Sequence, residues 1–389
     1  MPNTYRLGVI GFAHMHVNEL LRVFNEVGRG DGSSAVRQHP NVEWGACADT
    51  IAAMPEKVEA RFTRAWNRNH QARQEIGIPK AYEDYREMLD KERFDLVLFC
   101  PENARHAEVA EAIAAHGAHM LTEKPMADTM ANATRMATAA RNAGVTLVVN
   151  WPSAWNAAIR TMHRLVREGA IGELWQFRNR YGSRGPLSHG STHPGVDGRA
   201  TEMSDSEKGA TWWHRAGTGG GALLDYCCYG AALSRWFVGQ PATAAVGMKA
   251  NLQTPYGDAD DNAVITVRFP RAIAILEATW STIDHAIPVG PIAYGSTGTI
   301  LTERRGDKTV VVVRRGAGKE PEEIQPDPLP EGRDTLGKEV LRHLESGEPL
   351  FDLLQLDFNL DAMAILDAGR RSADSGNLEL VNPPHWQTG

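Results

Sequence analysis

The sequence predicts an α/β protein of two domains: a parallel sheet wound on both faces by helices over 1–150, then an α+β domain over 151–389 with a large, mostly antiparallel sheet. Three observations predict it. The first third alternates short apolar runs with amphipathic helical stretches. One of those runs, Phe-Asp-Leu-Val-Leu-Phe-Cys at 94–100, is almost unbroken, as suits a parallel strand covered on both faces. Beyond Trp151 the pattern becomes successive β-type runs separated by turns, which points to antiparallel neighbours. A length of 389 residues is too great for one ordinary core and comfortable for two.

Taken in order, a strand at 5–11 is followed by a helix at 16–27 and a strand at 42–49. The Gly-, Asp- and Ser-containing stretch 28–41 reads as an inserted loop. The apolar run at 94–100 is the next strand, then come a helix at 106–116, a strand at 119–122, a helix at 129–143 and a strand at 145–150. Such alternation implies right-handed crossovers and a doubly wound sheet. After it, a helix at 157–168 closed by Gly169 leads to a strand at 174–181. A loop rich in Gly, Ser and His over 182–206, carrying His189 and His193, is a candidate lid. The glycines at 219–221 open another helix, and strands are expected at 244–251, 263–269, 272–279, 290–294, 299–303 and 309–314. The Pro- and Glu-rich stretch 320–332 reads as an exposed excursion, and 353–375 as an amphipathic helix packing back on the body. There is no internal repeat.

Composition narrows the partners. A net charge of −7 with scattered basic residues argues against nucleic acid, which wants a clustered cationic surface. The densest basic group, Arg304 and Arg305 with Arg314 and Arg315, falls in an expected strand pair and reads as surface solubility. The cysteines, Cys47, Cys100, Cys227 and Cys228, make no C-x-x-C or Cys/His metal spacing, so reduced thiols are expected. The N-terminus runs straight into a strand without a signal-peptide layout, and no apolar run approaches the ~18 residues of a membrane span. A cytoplasmic protein with no membrane partner is the expectation.

The first strand–helix turn reads Gly8-Val-Ile-Gly11-Phe-Ala13-His14-Met15-His16. A dinucleotide-binding turn needs small residues here, so that backbone N–H groups approach a pyrophosphate at a helix N-terminus. Gly11 and Ala13 fit the first two positions of G-x-G-x-x-G, and His16 stands at the third. A plain tight turn is the rival; its place after the first strand of a Rossmann-like pattern favours the cofactor reading. Asp49 ends the second strand, where a carboxylate accepts ribose hydroxyls and repels a 2′-phosphate, favouring NAD over NADP. Its rival is a strand-end carboxylate capping the next segment. His14 and His16 suit contacts to the pyrophosphate or the substrate face better than a metal site, since no third ligand stands at a sensible spacing.

Two segments carry the chemistry. One is Cys100-Pro101-Glu102-Asn103-Ala-Arg-His106 with Leu121-Thr-Glu123-Lys124-Pro125; the other is Gly219-Gly220-Gly221-Ala-Leu-Leu-Asp225-Tyr-Cys227-Cys-Tyr229. With Arg167-Glu-Gly169-Ala-Ile-Gly172-Glu, Arg268-Phe-Pro and Tyr294-Gly-Ser-Thr-Gly298-Thr, they resemble the glucose–fructose oxidoreductase/inositol dehydrogenase/rhizopine catabolism family (Gfo/Idh/MocA) over nearly the whole chain. This chain departs from the family pattern in the inserted Glu102 and in Cys227, where the family has Gly. Tyr229 places it with the Tyr-bearing branch. The resemblance implies a catalytic Lys124 and a Glu123 that contacts the nicotinamide-side ribose. It also implies that Pro101 and Asn103 shape the turn beneath the nicotinamide, with His106 ordering that turn.

The residues themselves agree with such roles. A lysine at the carboxyl end of a parallel strand sits where open α/β sheets place their ligand crevice, and it can hold a substrate hydroxyl. Asp225 and Tyr229, four apart, share a helix face, and a phenol beside an ammonium can act as acid–base. Tyr229 is the expected proton acceptor with Lys124 as partner, or the two exchange roles; core packing is the rival for Tyr229. Asp225 binds a substrate hydroxyl, fixes Lys124, or offsets the helix dipole. Trp212, Trp213, His214 and Arg215, with Asn150 and Trp151, suit the wall of a carbohydrate pocket, with core or interface packing as the alternative for the tryptophans.

The reading is an NAD-dependent oxidation of a hydroxyl on a sugar, polyol or related cyclic alcohol by a homo-dimer or homo-tetramer, with NADP less favoured and no metal. Two rivals share the fold: a glycosidase that oxidises transiently with tightly held NAD, and a cofactor-bound sensor without turnover.

Overall fold

The computed structural model describes residues 4–14, 16–27, 36–38, 41–49, 71–187, 203–282, 290–316 and 318–381. The chain forms two compact units. The first comprises Met1–Asn150, Pro186–Gly219 and Gly332–Leu356, and the second Trp151–Gly185, Gly220–Glu331 and Asp357–Gly389. The contiguous split expected at residue 150 thus gives way to one in which two later segments return to the first unit.

The first unit is built on six strands: β1 (Tyr5–Ile10), β2 (Val42–Ala48), β3 (Lys80–Tyr82), β4 (Leu96–Phe99), β5 (His119–Thr122) and β6 (Leu147–Val149). They run parallel in the order β3-β2-β1-β4-β5-β6. That is the doubly wound order, whose reversal between β1 and β4 opens a crevice at the strands' carboxyl ends. All four residues of β4 are fully buried, as its unbroken apolar run requires. The helices His106–Ala115 and Met130–Ala143 pack side by side. Thr129 caps the second by accepting the Asn132 N–H at 3.2 Å.

One expectation in this unit is corrected, and one element was not expected. The helix expected at 16–27 stops at Arg22, and Asn25–Val27 instead pairs antiparallel with Val36–Gln38. Asn25 Nδ2 donates to the Leu21 carbonyl at 2.7 Å, so a side chain takes an acceptor that a continued helix would need. Of the loop expected over 28–41, residues 28–35 and 39–40 lie outside the described residues, as do 188–202 of the candidate lid with His189 and His193. The unexpected element is β3, a short edge strand with two of three residues exposed and so no apolar run to announce it. It is held by charge: Glu92 accepts from Lys80 Nζ at 2.6 Å, Tyr82 Oη at 2.8 Å and Arg6 Nη2 at 2.7 Å. These partners draw the Glu92 carboxyl down to about 2, the Lys80 bond contributing most.

The second unit carries β7 (Leu174–Gly182), β8 (Ala244–Ala250), β9 (Asn262–Arg268), β10 (Ile273–Thr279), β11 (Ile292–Gly295), β12 (Thr299–Arg305), β13 (Lys308–Arg314), β14 (Glu322–Ile324) and β15 (Glu379–Leu380). Their order is β14-β13-β12-β11-β7-β10-β9-β8-β15, antiparallel except for the parallel pair β7 and β10. One face is covered by helices. Ala157–Arg167 lies on β12 and β13, and Cys228–Val238 on β7 and β10. Leu356–Ser375 reaches β8 through Ser372 Oγ, which accepts the Gly247 N–H at 2.9 Å. The stretch 320–332 is no free excursion: it supplies the edge strand β14, and Asp327 accepts from Arg164 Nε at 2.9 Å and Thr161 Oγ1 at 3.2 Å. The arginine group sits on the β12–β13 hairpin, where Arg305 and Arg314 pair with Glu303 and Arg315 pairs with Glu322.

Candidate functional site

In the first unit the site grows from the carboxyl ends of β1, β4, β5 and β6. Gly11, at the end of β1, has φ +82, and a Cβ there would stand 2.7 Å from the Pro101 nitrogen. Only glycine lets the turn at the end of β1 lie this close to the one after β4. Ala13 and His14 turn their N–H groups onto the Cys100 carbonyl at 3.1 and 3.5 Å, and Phe12 donates to Asp49 Oδ1 at 3.3 Å. Asp49 is therefore where the sequence expects it, at the end of β2 beside the glycine turn. Met15 lies outside the described residues.

The Pro101–His106 turn is locked from two sides. Asn103 Nδ2 donates to the Gly219 carbonyl at 2.7 Å, and a Cβ on Gly219 would stand 2.7 Å from that of Asn103. His106 is buried and its Nδ1 bonds the Met126 carbonyl at 3.0 Å; burial pushes this imidazole below its ordinary range. A neutral ring donating from Nδ1 thus ties the turn to the segment that follows Pro125. Burial likewise pushes the carboxyl of the inserted Glu102 up.

Glu123 and Lys124 leave β5 almost fully buried, at 2% and 3% exposure. Glu123 Oε1 accepts from Asn150 Nδ2 at 2.7 Å, at the end of β6, and Oε2 meets His16 Nδ1 at 3.2 Å. Asn150 Oδ1 is buried and, among the described residues, has no hydrogen-bond partner, an acceptor ready for a hydroxyl. Trp212 lies in this unit too, its Nε1 donating to the Ala13 carbonyl at 2.9 Å and its ring 5.8 Å from that of His14. The sequence placed Trp212 only in a possible pocket wall. Trp213 beside it is buried and Arg215 is exposed.

The arrangement fits a dinucleotide: a tight glycine turn at the end of β1, carboxylates at the ends of β2 and β5, and, among the described residues, a buried acceptor at Asn150 with no hydrogen-bond partner. Among the described residues no group of His, Cys, Asp and Glu is placed to hold a metal, and all four cysteines are buried and outside any disulfide.

In the second unit the helix bearing Asp225 and Tyr229 begins with a π-helical turn, Leu223–Cys227, before Cys228–Val238 continues as α-helix. Gly221, at φ +109, opens it, with Asp260 Oδ1 only 2.6 Å from where a Cβ would be. Asp260 caps the turn, accepting the Leu223 N–H at 2.8 Å, and burial pushes its carboxyl up to about 6. Asp225 Oδ2 accepts from Trp280 Nε1 at 3.0 Å. The Tyr229 ring, 8% exposed, lies 4.7 Å from Tyr181 and 5.8 Å edge-on from Trp151; Tyr181 in turn stacks on Tyr226 at 6.4 Å. Asp260, Trp280 and Tyr181 carry no motif, and sequence reasoning passed over them.

A family model described as an oxidoreductase family with an NAD-binding Rossmann fold matches residues 6–151, and one described as the GFO/IDH/MocA C-terminal domain matches 159–301. Among curated relatives, a D-apiose dehydrogenase of Paraburkholderia graminis is 37% identical over 101 residues, 26% of this chain and 27% of that protein. A levoglucosan dehydrogenase of Pseudarthrobacter phenanthrenivorans is 25% identical over 62% of this chain and 64% of its own length. The chain thus spans about a quarter of the first and less than two thirds of the second. An aldose-aldose oxidoreductase from Caulobacter crescentus, solved with glycerol, shares the fold with a TM-score of 0.69 at 18% identity, covering 97% of this chain and 100% of that one.

Proposed function

The chain belongs to the Gfo/Idh/MocA family of oxidoreductases, and on that premise we propose that it moves a hydride between NAD and a hydroxyl-bearing carbon of a sugar, polyol or related cyclic alcohol. The observation that carries the reading is Lys124, a lysine 3% exposed at the carboxyl end of β5, beside the similarly buried Glu123. A lysine is rarely buried this completely without a task or a partner.

Bound NAD supplies the hydride acceptor. The protein's part is to hold and deprotonate the alcohol. Lys124 holds the reacting hydroxyl and favours its alkoxide, and Tyr229 takes the proton, the two being interchangeable in principle. Asp225, fixed by Trp280, binds a neighbouring hydroxyl. Asn150 and Trp151 offer an acceptor and an aromatic face to a sugar ring. Glu123 and Asp49 take ribose hydroxyls, and Asp49 sets the preference for NAD.

The test is absorbance of NADH in a panel of sugars and polyols with both cofactors. Turnover with at least one polyol and NAD is expected, falling at least a hundredfold in Lys124→Ala, on the scale of removing an acid–base group. Turnover that persists in both Lys124→Ala and Tyr229→Phe sinks the mechanism. Aryl-glycoside cleavage without net NADH transfers the site to glycosidase chemistry.

We further propose that the uncovered face of the second unit's sheet joins copies of the chain into a homo-oligomer. Val246, Met248, Val264 and Ile273 are 48%, 70%, 36% and 49% exposed there, on neighbouring strands, and grouped exposed apolar side chains suit a protein–protein contact.

A further inference from the structure

We infer that His16, the residue in place of the third fingerprint glycine, is a positioning residue that aims the Glu123 carboxylate at the cofactor. The inference rests on the functional reading above and adds a role that neither motif assigns. The third glycine of the fingerprint serves close helix–strand packing. Here the backbone at His16 has φ −62 and ψ −15, so no special conformation calls for glycine. His16 stands at the N-cap of the Val17–Arg22 helix, yet its side chain makes no capping bond. It turns instead to Glu123 Oε2 at 3.2 Å. In the tautomer with its hydrogen on Nδ1, the imidazole donates to this carboxylate oxygen.

The carboxylate needs this partner. Glu123 is 2% exposed, and a buried charge is costly unless its oxygens are bonded. Asn150 serves Oε1 at 2.7 Å, and His16 serves Oε2. The imidazole is itself oriented. Its ring lies 4.2 Å edge to face from that of His14, whose Nδ1 accepts the His16 backbone N–H at 3.2 Å, and Trp212 sits 5.8 Å beyond His14. A connected set therefore runs from Trp212 through the two histidines to Glu123 and Asn150. Its far end is Asn150 Oδ1, buried and without a hydrogen-bond partner among the described residues. With one oxygen pinned from each side, Glu123 keeps a single orientation with lone pairs left for a ribose hydroxyl. The role of the lost glycine, closeness of backbone, is exchanged for a fixed acceptor.

The experiment compares His16→Gly, which restores the fingerprint, with His16→Asn, whose amide nitrogen replaces Nδ1. NADH binding to the full chain is followed by fluorescence titration. The glycine variant should bind about tenfold more weakly, the scale of one hydrogen bond to a charged group, and the asparagine variant within about threefold of wild type. A second measurement needs no cofactor: the ¹⁵N resonance of His16 Nδ1 should move when Glu123 becomes Gln. Glycine binding as tightly as histidine, asparagine as weak as glycine, or an unmoved resonance each overturns the inference. Wild type that binds no NADH overturns the functional reading instead, and the resonance still decides whether His16 holds Glu123.

Discussion

Glu92 illustrates how much a single side chain can organise when its partners come from two separate strands. It gathers Arg6, Lys80 and Tyr82, and these fasten β3 to the rest of the sheet. Replacing it with Gln removes a charge-assisted anchor and should cost about 2 kcal/mol in unfolding experiments. Its folded carboxyl lies near 2, below its value in the unfolded chain. Its contribution is therefore complete above the ordinary carboxylate range and is lost as pH falls from roughly 4.5 toward 2. The Tm gap between wild type and Glu92→Gln should close over that window; a constant gap would show that charge is not the cause. Nothing near Glu92 in sequence announces this. The placement of Glu123 and Lys124 at the end of β5 was legible because the strand ahead of them is a short, largely apolar run, whereas Glu92, Trp212 and Asp260 act through partners that only folding brings near.

At the scale of elements, the run Gly219–Gly221 was legible as a helix start, but its division of labour was not. Gly219 admits the Asn103 turn within the first unit, and Gly221 admits Asp260 within the second. Gly221→Ala meets both a positive φ and a carboxylate oxygen, so a loss above ~1 kcal/mol is expected, read as a lower denaturant midpoint at unchanged slope. Composition also cannot tell a π-helical turn from an α-helical one, which is why the local register of Asp225 stayed hidden. The cap beneath that turn titrates: the folded Asp260 carboxyl lies near 6, above its unfolded range. A raised acid binds its proton first in the folded state, so stability is gained as pH falls from about 6 toward roughly 4. Wild type should gain Tm relative to Asp260→Asn across that interval, and a flat difference between them would refute the assignment. Strands β7 to β13 were legible because their alternation is regular; the short edge strands β3 and β14 were not, since edges need little apolar sequence.

For the molecule as a whole, the exposed Met248 and Ile273 make the prediction. Met248→Asp with Ile273→Asp should convert the proposed oligomer to monomer in light scattering while leaving the far-ultraviolet spectrum unchanged. An unaltered mass would move the interface elsewhere. The α/β class, the strand-rich second half and the NAD-binding first half were all readable from period and motif. The path of the chain between the two compact units was not, because 186–219 and 332–356 look like ordinary loop and helix until their neighbours are known.

That path has a consequence for biosynthesis. The ribosome delivers the six-stranded sheet by residue 150, but Trp212, which reaches Ala13, and Gly219, which receives Asn103, are still untranslated. The nucleotide-binding unit therefore emerges unfinished, and an expression fragment ending at 150 lacks both. Such a fragment should need the rest of the polypeptide, supplied in cis, before its glycine turn is fastened.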